Sequence, residues 1–422
     1  MARRKSAERM RKVGPSGVET LPQRLIDVPA IPTGCRPHLT ERDRWQWHHT
    51  DGGDPLTAVQ DFLTHHGLPV TDLTRPTTPG DHRPGQVCGA ALYVSAAAGA
   101  HLLGVPTPTE PAPTLPDVVA VVYHHTTRPT PHTPPPPTTT WTLGPWHDSW
   151  NPHAHAHAVQ AVRDAIGRGD VYQVNLVGHA SAPYHGDPLP ALTRLATLPG
   201  ARYGGTLTGD GWAIGCASPE TLVEVTADRV LTRPIKGTRP ATPAGRHDLL
   251  TSAKERAEHI MIVDLERNDL AHIAHTGTVT VDQLYAVRRW CDLWQAESTV
   301  SATLAPGIGL ADLLHAVCPG GSVTGAPKRA ALHHIAALEP TGRGAGMGAL
   351  GWIAPGHLDL GLTIRTAATD TDRLHLWAGG GITWDSDPTA EVAEAAAKAA
   401  PLRALLAGTP PPTKPADYPC QP

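Results

Sequence analysis

Four consecutive prolines, Pro134-Pro135-Pro136-Pro137, set the hardest constraint on how this 422-residue chain folds. Proline lacks the backbone N–H and fixes its own φ, so the run can enter neither a helix nor the interior of a sheet. Residues 129–140 therefore read as a linker or long loop, and the chain divides near residue 145. The start carries Arg3, Arg4, Lys5, Arg9, Arg11 and Lys12 with no apolar segment behind them. Residues 1–20 thus read as a disordered basic tail, not a secretory signal. Residues 21–145 read as an N-terminal part of the fold, irregular, with strand-like apolar runs at 90–97 and 118–123. Residues 146–410 read as the catalytic region, and 411–422 as a second tail.

From about residue 150 the apolar spacing becomes regular. Ala158, Val159, Val162, Ala165 and Ile166 fall at helical intervals, and Gly169 follows as a stop, which predicts a helix over 154–168. The same spacing predicts helices over 249–270, 310–317, 326–338 and 390–400, the last stopped or kinked at Pro401. Strand patterns cover 171–177, 206–215, 222–225, 230–232, 350–353, 360–367 and 374–378. Strands and helices without strict alternation predict an α+β or layered α/β fold. With a single Phe, Phe62, the core must be built from Leu, Val, Ala, Ile and Trp.

A formal charge of −4 supplies no field to hold a polyanion, so nucleic acid is excluded as the main partner. No run of about 18 apolar residues occurs, so no membrane-crossing helix is expected. The 6 cysteines are scattered without a C-x-x-C pair, which fits neither a disulfide framework nor a zinc site. The expected location is the cytoplasm. The densest histidine run, His153, His155 and His157, alternates at i, i+2 and reads as a solvated surface.

Several groups could do chemistry. Glu255 and Glu258 lie one helical turn apart, and Glu391 and Glu394 repeat the spacing. Two such pairs on facing helices would offer hard oxygen donors suited to Mg2+ with retained waters. Alternatively they are solvated faces paired with Lys254, Arg256 and Lys398. Residues 319–328 put glycines and small hydroxyls before a helix, which could present N–H groups to an anion or form a plain tight turn. No G-K-[ST] closes that loop, so ATP is not implied. Lys236 stands between Arg233 and Arg239, whose charge would favour its neutral, nucleophilic amine. A surface basic turn is the alternative.

Seven blocks in order resemble the chorismate-utilising enzymes: anthranilate synthase component I, aminodeoxychorismate synthase component I and isochorismate synthase. They are 169–176, 217–220, 233–239, 254–270, 319–328, 360–366, and 378–388 with Glu391 and Glu394. The resemblance implies two facing antiparallel sheets flanked by helices, with the pocket between them. It implies Mg2+ held directly by Glu258 and Glu394, with Glu255 and Glu391 acting through water. The substrate pocket falls to Gln173, Thr238, Thr324, Gly325, Arg365, Gly379, Gly380, Gly381 and Lys398. Glu220 matches the acid that protonates the departing ring hydroxyl.

Where the water-using members carry a lysine base, this chain has Gln173, which implies ammonia as nucleophile. Lys236 replaces the alanine of anthranilate synthases and matches the covalent nucleophile of aminodeoxychorismate synthases. The implied product is 4-amino-4-deoxychorismate, a precursor of 4-aminobenzoate and folate. The alternatives are anthranilate or another chorismate product, or a non-catalytic chorismate-binding subunit. No glutamine-hydrolysing triad is visible, so a separate glutamine amidotransferase subunit is the implied source of ammonia. The chain departs from the family at three places. Gln295 holds the position of a catalytic pocket histidine and cannot shuttle protons near neutral pH. Gly346 replaces a tyrosine, and Thr221 replaces an arginine at a position that reads as peripheral.

Overall fold

A computed structural model describes residues 39–75, 83–127, 141–290 and 293–408; the two expected tails and residues 128–140 lie outside the described residues. Two antiparallel sheets dominate. The larger runs in the order Leu39–Trp47, Val118–His125, Val87–Val94, Ala349–Ala354, His357–Leu362, Thr221–Thr226, Arg229–Arg233, Leu293–Thr303, Ile235–Pro240. Thr280–Trp290 adds to it by pairing with Leu293–Thr303. The smaller sheet runs Gly325–Ala326, Gln173–His185, Arg373–Ile382, Thr366–Thr369, Trp212–Ser218, Tyr203–Gly209.

One apolar cluster joins the sheets. It holds Leu92, Val121 and Leu360 from the larger sheet with Val177, Ile214 and Trp377 from the smaller. Strand alternation explains the layering along Gln173–His185: Val177 faces this core, while Val174 and Leu176 pack outward with Val159 and Val162 of helix Pro152–Arg168. Gly169 ends that helix at φ 82°, as its spacing predicts. Strand Val87–Val94 pairs with Ala349–Ala354, so the N-terminal segments are built into the same sheet as the C-terminal ones.

Several boundaries differ from the sequence expectation, each for a local reason. Residues 360–367 are not one strand. His357–Leu362 belongs to the larger sheet and Thr366–Thr369 to the smaller, and the chain crosses between them with Arg365 at φ 50°. Residues 206–215 form a hairpin turned at Gly211, φ 76°. The expected long helix breaks into Pro243–Thr251 and Ala253–Ala271, because the Ser252 hydroxyl caps the second by accepting from Glu255 N–H at 3.3 Å. Residues 96–97 open helix Ala96–Leu102 instead of ending a strand. Pro401 does not stop the last helix, which runs Pro388–Leu406. His155 is buried against Trp150, ring centroids 4.5 Å apart, so the histidine run is not wholly solvated.

Candidate active site

Lys236 is the second residue of strand Ile235–Pro240, opposite Ala296. Gly237 follows at φ 74° where the register shifts, a bulge that places Thr238 opposite Gln295. The Lys236 ammonium donates to Ser322 O at 3.2 Å. Burial lowers the pKa of this amine, Glu220, Glu258 and Glu394 oppose the shift, and Lys398 adds to it. The flanking arginines do not, contrary to the sequence expectation. Arg233 is paired with Glu224, and Arg239 with Asp248 and Glu255, so carboxylates absorb their charge.

Glu220 is 4% exposed and accepts from Ile235 N–H at 3.4 Å and from the Ser322 side chain. Burial raises its pKa, with Lys236 the largest opposing influence. In the smaller sheet, Gly381 pairs with Asn175. A Cβ on Gly381 would stand 2.4 Å from Gln173 Nε2 and 3.6 Å from Lys236 Nζ, so this glycine leaves room where Gln173 and Lys236 meet. Gln173 and Gln295 are 1% and 3% exposed, and the Oε1 of each has no partner among the described residues. A buried acceptor without a donor costs about 1–3 kcal/mol, which a bound ligand can relieve.

Gly380 borders both Glu391 Oε2 and Lys398 Nζ, at 3.3 and 3.6 Å from its notional Cβ. Gly379 O accepts from Lys398 at 3.0 Å. Thr324 is fully buried, and its hydroxyl donates to Gly320 O at 2.8 Å, so it braces the loop rather than presenting a free group. Gly325, φ 141°, brings that loop against Gln173 O. Lys328, at the end of the loop, turns away to Asp269 at 2.8 Å. Arg365 is half-buried, and its charge lowers the pKa of Glu220, which places it on the same pocket.

The acidic pairs converge. Glu258 is influenced by Glu255, Glu391 and Lys236 together, and Glu391 by Glu394. Among the described residues no three His, Cys, Asp or Glu side chains form a ready metal cluster. Lys254 lies 3.8 Å from both Glu258 and Glu391, Lys398 lies 2.8 Å from Glu394, and Arg239 lies 3.1 Å from Glu255. The ion pairing expected of solvated faces is therefore present, and Lys254 joins the two acidic helices through it.

The departures have structural reasons. A Cβ on Gly346 would stand 2.8 Å from the Trp377 Cβ, so the indole occupies the space of a side chain there. Thr221 is buried, not peripheral: its hydroxyl meets Tyr203 at 2.7 Å, and Tyr203 donates to Asp359. Sequence reasoning missed His259, which is 0% exposed beside Lys236 with its ring 2.6 Å from Ser298 Oγ. Burial and the Lys236 charge push it down to about 4, so it is neutral at pH 7. Its spacing of four from Glu255 was the available signal. Ser322 and Thr383, whose hydroxyl donates to Glu258 at 3.4 Å, carried no signal of their own.

In sequence and fold the chain is similar to known proteins. Anthranilate synthase component 1 of Streptomyces coelicolor is 34% identical, covering 84% of this chain and 77% of that one. Aminodeoxychorismate synthase component 1 of Escherichia coli is 37% identical, covering 59% of this chain and 56% of that one, so the chain spans little more than half of this relative. The crystal structure of anthranilate synthase component I from Streptococcus pneumoniae superposes with a TM-score of 0.72 at 25% identity, covering 90% of this chain and 93% of that one. Among the described residues no helix is long and apolar enough to cross a membrane. Residues 74–404 match the profile of the chorismate binding enzymes, and the chain belongs to that family.

Proposed function

We propose that the protein aminates chorismate to 4-amino-4-deoxychorismate, using ammonia delivered by a glutamine amidotransferase subunit. The observation that carries this reading is the amine of Lys236, half-buried beside Glu220, Gln173 and Gly381 with its pKa lowered. A lowered pKa raises the share of free, nucleophilic amine at this position, and an alanine there would offer none.

In this reading Lys236 Nζ forms a bond to the ring as the C–O bond of the 4-hydroxyl breaks. Glu220, whose pKa burial raises, gives its proton so that the group leaves as water. Ammonia then forms the new C–N bond, the bond to Lys236 breaks, and the Glu220 carboxylate takes back the proton that ammonia sheds. Arg365 and the bare backbone of Gly379, Gly380 and Gly381 hold the substrate carboxylates. Neutral Gln173 leaves water unactivated.

The donor set fits a hard dication, since Glu255, Glu258, Glu391 and Glu394 offer only carboxylate oxygens around one pocket and their present partners are exchangeable lysines and an arginine. Glu258 and Glu394 would hold Mg2+ directly, with Glu255 and Glu391 outside. When bound, the ion would neutralise substrate carboxylate charge and favour departure of the hydroxyl.

Incubation with chorismate, Mg2+ and ammonium tests the reading. A product converted to 4-aminobenzoate by added lyase supports it, and anthranilate fluorescence or unchanged chorismate overturns it.

A further inference from the structure

The loop 342–348 ties together three segments that form the pocket. Arg343 donates to Asn175 O at 2.8 Å and to Val323 O at 2.6 Å, and so grips the Gln173 strand and the Ser322 loop at once. Met347 N–H donates to Thr363 O at 3.0 Å and Gly348 N–H to the Thr363 hydroxyl at 2.7 Å. Thr363 precedes Arg365 by two residues, in the crossing between the sheets. Whatever fixes this loop therefore fixes Asn175, Val323 and Arg365 relative to one another.

Two residues from the N-terminal part, outside the seven sequence blocks, help to fix it, beside Glu339, which pairs with Arg343. Glu110 Oε2 accepts from Gly344 N–H at 2.9 Å, and the Tyr93 hydroxyl donates to Gly344 O at 3.1 Å. Both backbone groups of Gly344, itself at φ 44°, are thereby held from one side. Trp377 closes the other side, 2.4 Å from the notional Cβ of Gly344. Gly342 N–H donates to Thr109 O at 2.8 Å, and a Cβ on Gly342 would stand 2.4 Å from the Glu110 carboxyl carbon. The Glu110 side chain thus packs flat against the loop. Its Oε1 is buried with no partner among the described residues, and Glu110 lines a small cavity with Ala96, Leu332, Ile335 and Arg343. A carboxyl kept buried at half its bonding capacity is held there by what its other oxygen does.

We propose that Glu110 is a positioning residue for the substrate pocket, acting through Gly344 on the placement of Arg365 and of the Gln173 strand. This rests on the reading that Arg365 grips a chorismate carboxylate. Removing the acceptor strands a buried N–H, and the loop shifts to find another partner.

Glu110→Ala and Glu110→Gln test it by steady-state kinetics with chorismate and by hydrogen exchange of the folded variants. The alanine variant is expected to raise the KM for chorismate about tenfold, with kcat changed much less, and to speed exchange in 342–348 and 363–366 while other segments keep wild-type rates. The glutamine variant, which keeps an acceptor of the same length, is expected to restore both. If the alanine variant does not fold, Tyr93→Phe takes its place with the same two readings. An unchanged KM together with unchanged exchange overturns the proposal. Faster exchange confined to those two segments, in a protein whose wild type shows no affinity for chorismate, keeps the positioning role and overturns the functional reading instead.

Discussion

Lys236 and Glu220 meet on one residue: the lysine donates to the Ser322 carbonyl at 3.2 Å, and the Ser322 side chain bonds to the glutamate. The nucleophile and the acid of the proposed reaction are therefore held at a fixed separation by the loop between them. Lys236→Met keeps the stem and deletes the amine, and amination is expected to vanish while chorismate binding persists. Because burial disfavours the ammonium, the wild-type rate should rise with pH through a midpoint below the ordinary lysine value of 10.5. A Lys236→Met variant that aminates at the wild-type rate would remove the covalent step.

Glu220→Gln preserves the acceptor facing Ile235 N–H but carries no transferable proton. Loss of a general acid typically lowers the rate about 10²–10⁴-fold. The expected signature is that fall in kcat with KM nearly unchanged, since the amide fills the same space. A variant with full kcat would leave the hydroxyl to depart without help from this residue.

How much of this was legible beforehand follows from which forces act locally. The helix ending at Gly169 and the strands around 222–232 were readable, because period and end signals are written in adjacent residues. The split of 360–367 between two sheets was not, since an apolar run looks alike in either sheet and only tertiary pairing moves Arg365 to φ 50°. The acidic pairs and Lys236 could be singled out by type and spacing. The cause of the lysine's shift could not, because Arg233 and Arg239 find their carboxylates in the fold, Glu224 and Glu255 among them. Ser322 and Glu110 act through contacts to residues distant in the chain, and such contacts leave no pattern in a sequence.

Two of the pocket glycines, Gly379 and Gly381, should separate by experiment. A Cβ on Gly379 would stand 1.9 Å from Leu176 O, a backbone atom that cannot yield, whereas Gly381 meets the movable end of Gln173. Gly379→Ala is expected to destabilise by about 1–3 kcal/mol or to misfold. Gly381→Ala should fold normally and lose activity, because the new methyl group pushes Gln173 and crowds Lys236. Thermal denaturation beside kinetics distinguishes them, and equal stability losses in both would contradict the assignment.

The four glutamates predict a metal dependence with its own readout. Glu391, expected to act through water, should on change to Gln weaken Mg2+ binding roughly 10–100-fold by titration calorimetry, as outer partners of metal ligands do. Lys254→Met should act in the opposite direction, because the lysine now sits 3.8 Å from both Glu258 and Glu391 and competes for them. Chelation should abolish amination. A wild-type protein that takes up no Mg2+ would leave these carboxylates as partners of lysine only.

Behind the pocket, Glu266 predicts a stability that declines as pH rises from about 4.5 to about 8. It is 4% exposed, Thr232 donates to its Oε2 at 3.2 Å, and its neighbour Asp269 is paired with Lys328. Burial and the Asp269 charge push its pKa up to about 8, against 4.5 for an unperturbed glutamate. The folded state thus keeps a proton that the unfolded chain releases, so the contribution is full below about 4.5 and lost as pH rises through about 8. Glu266→Gln fixes the neutral form. The two proteins should unfold at similar urea concentrations near pH 4, and by about pH 9 the glutamine variant should be the more stable by a few kcal/mol, each pKa unit being about 1.4 kcal/mol. Midpoints that fall in parallel over that range would show that the proton is not held at Glu266.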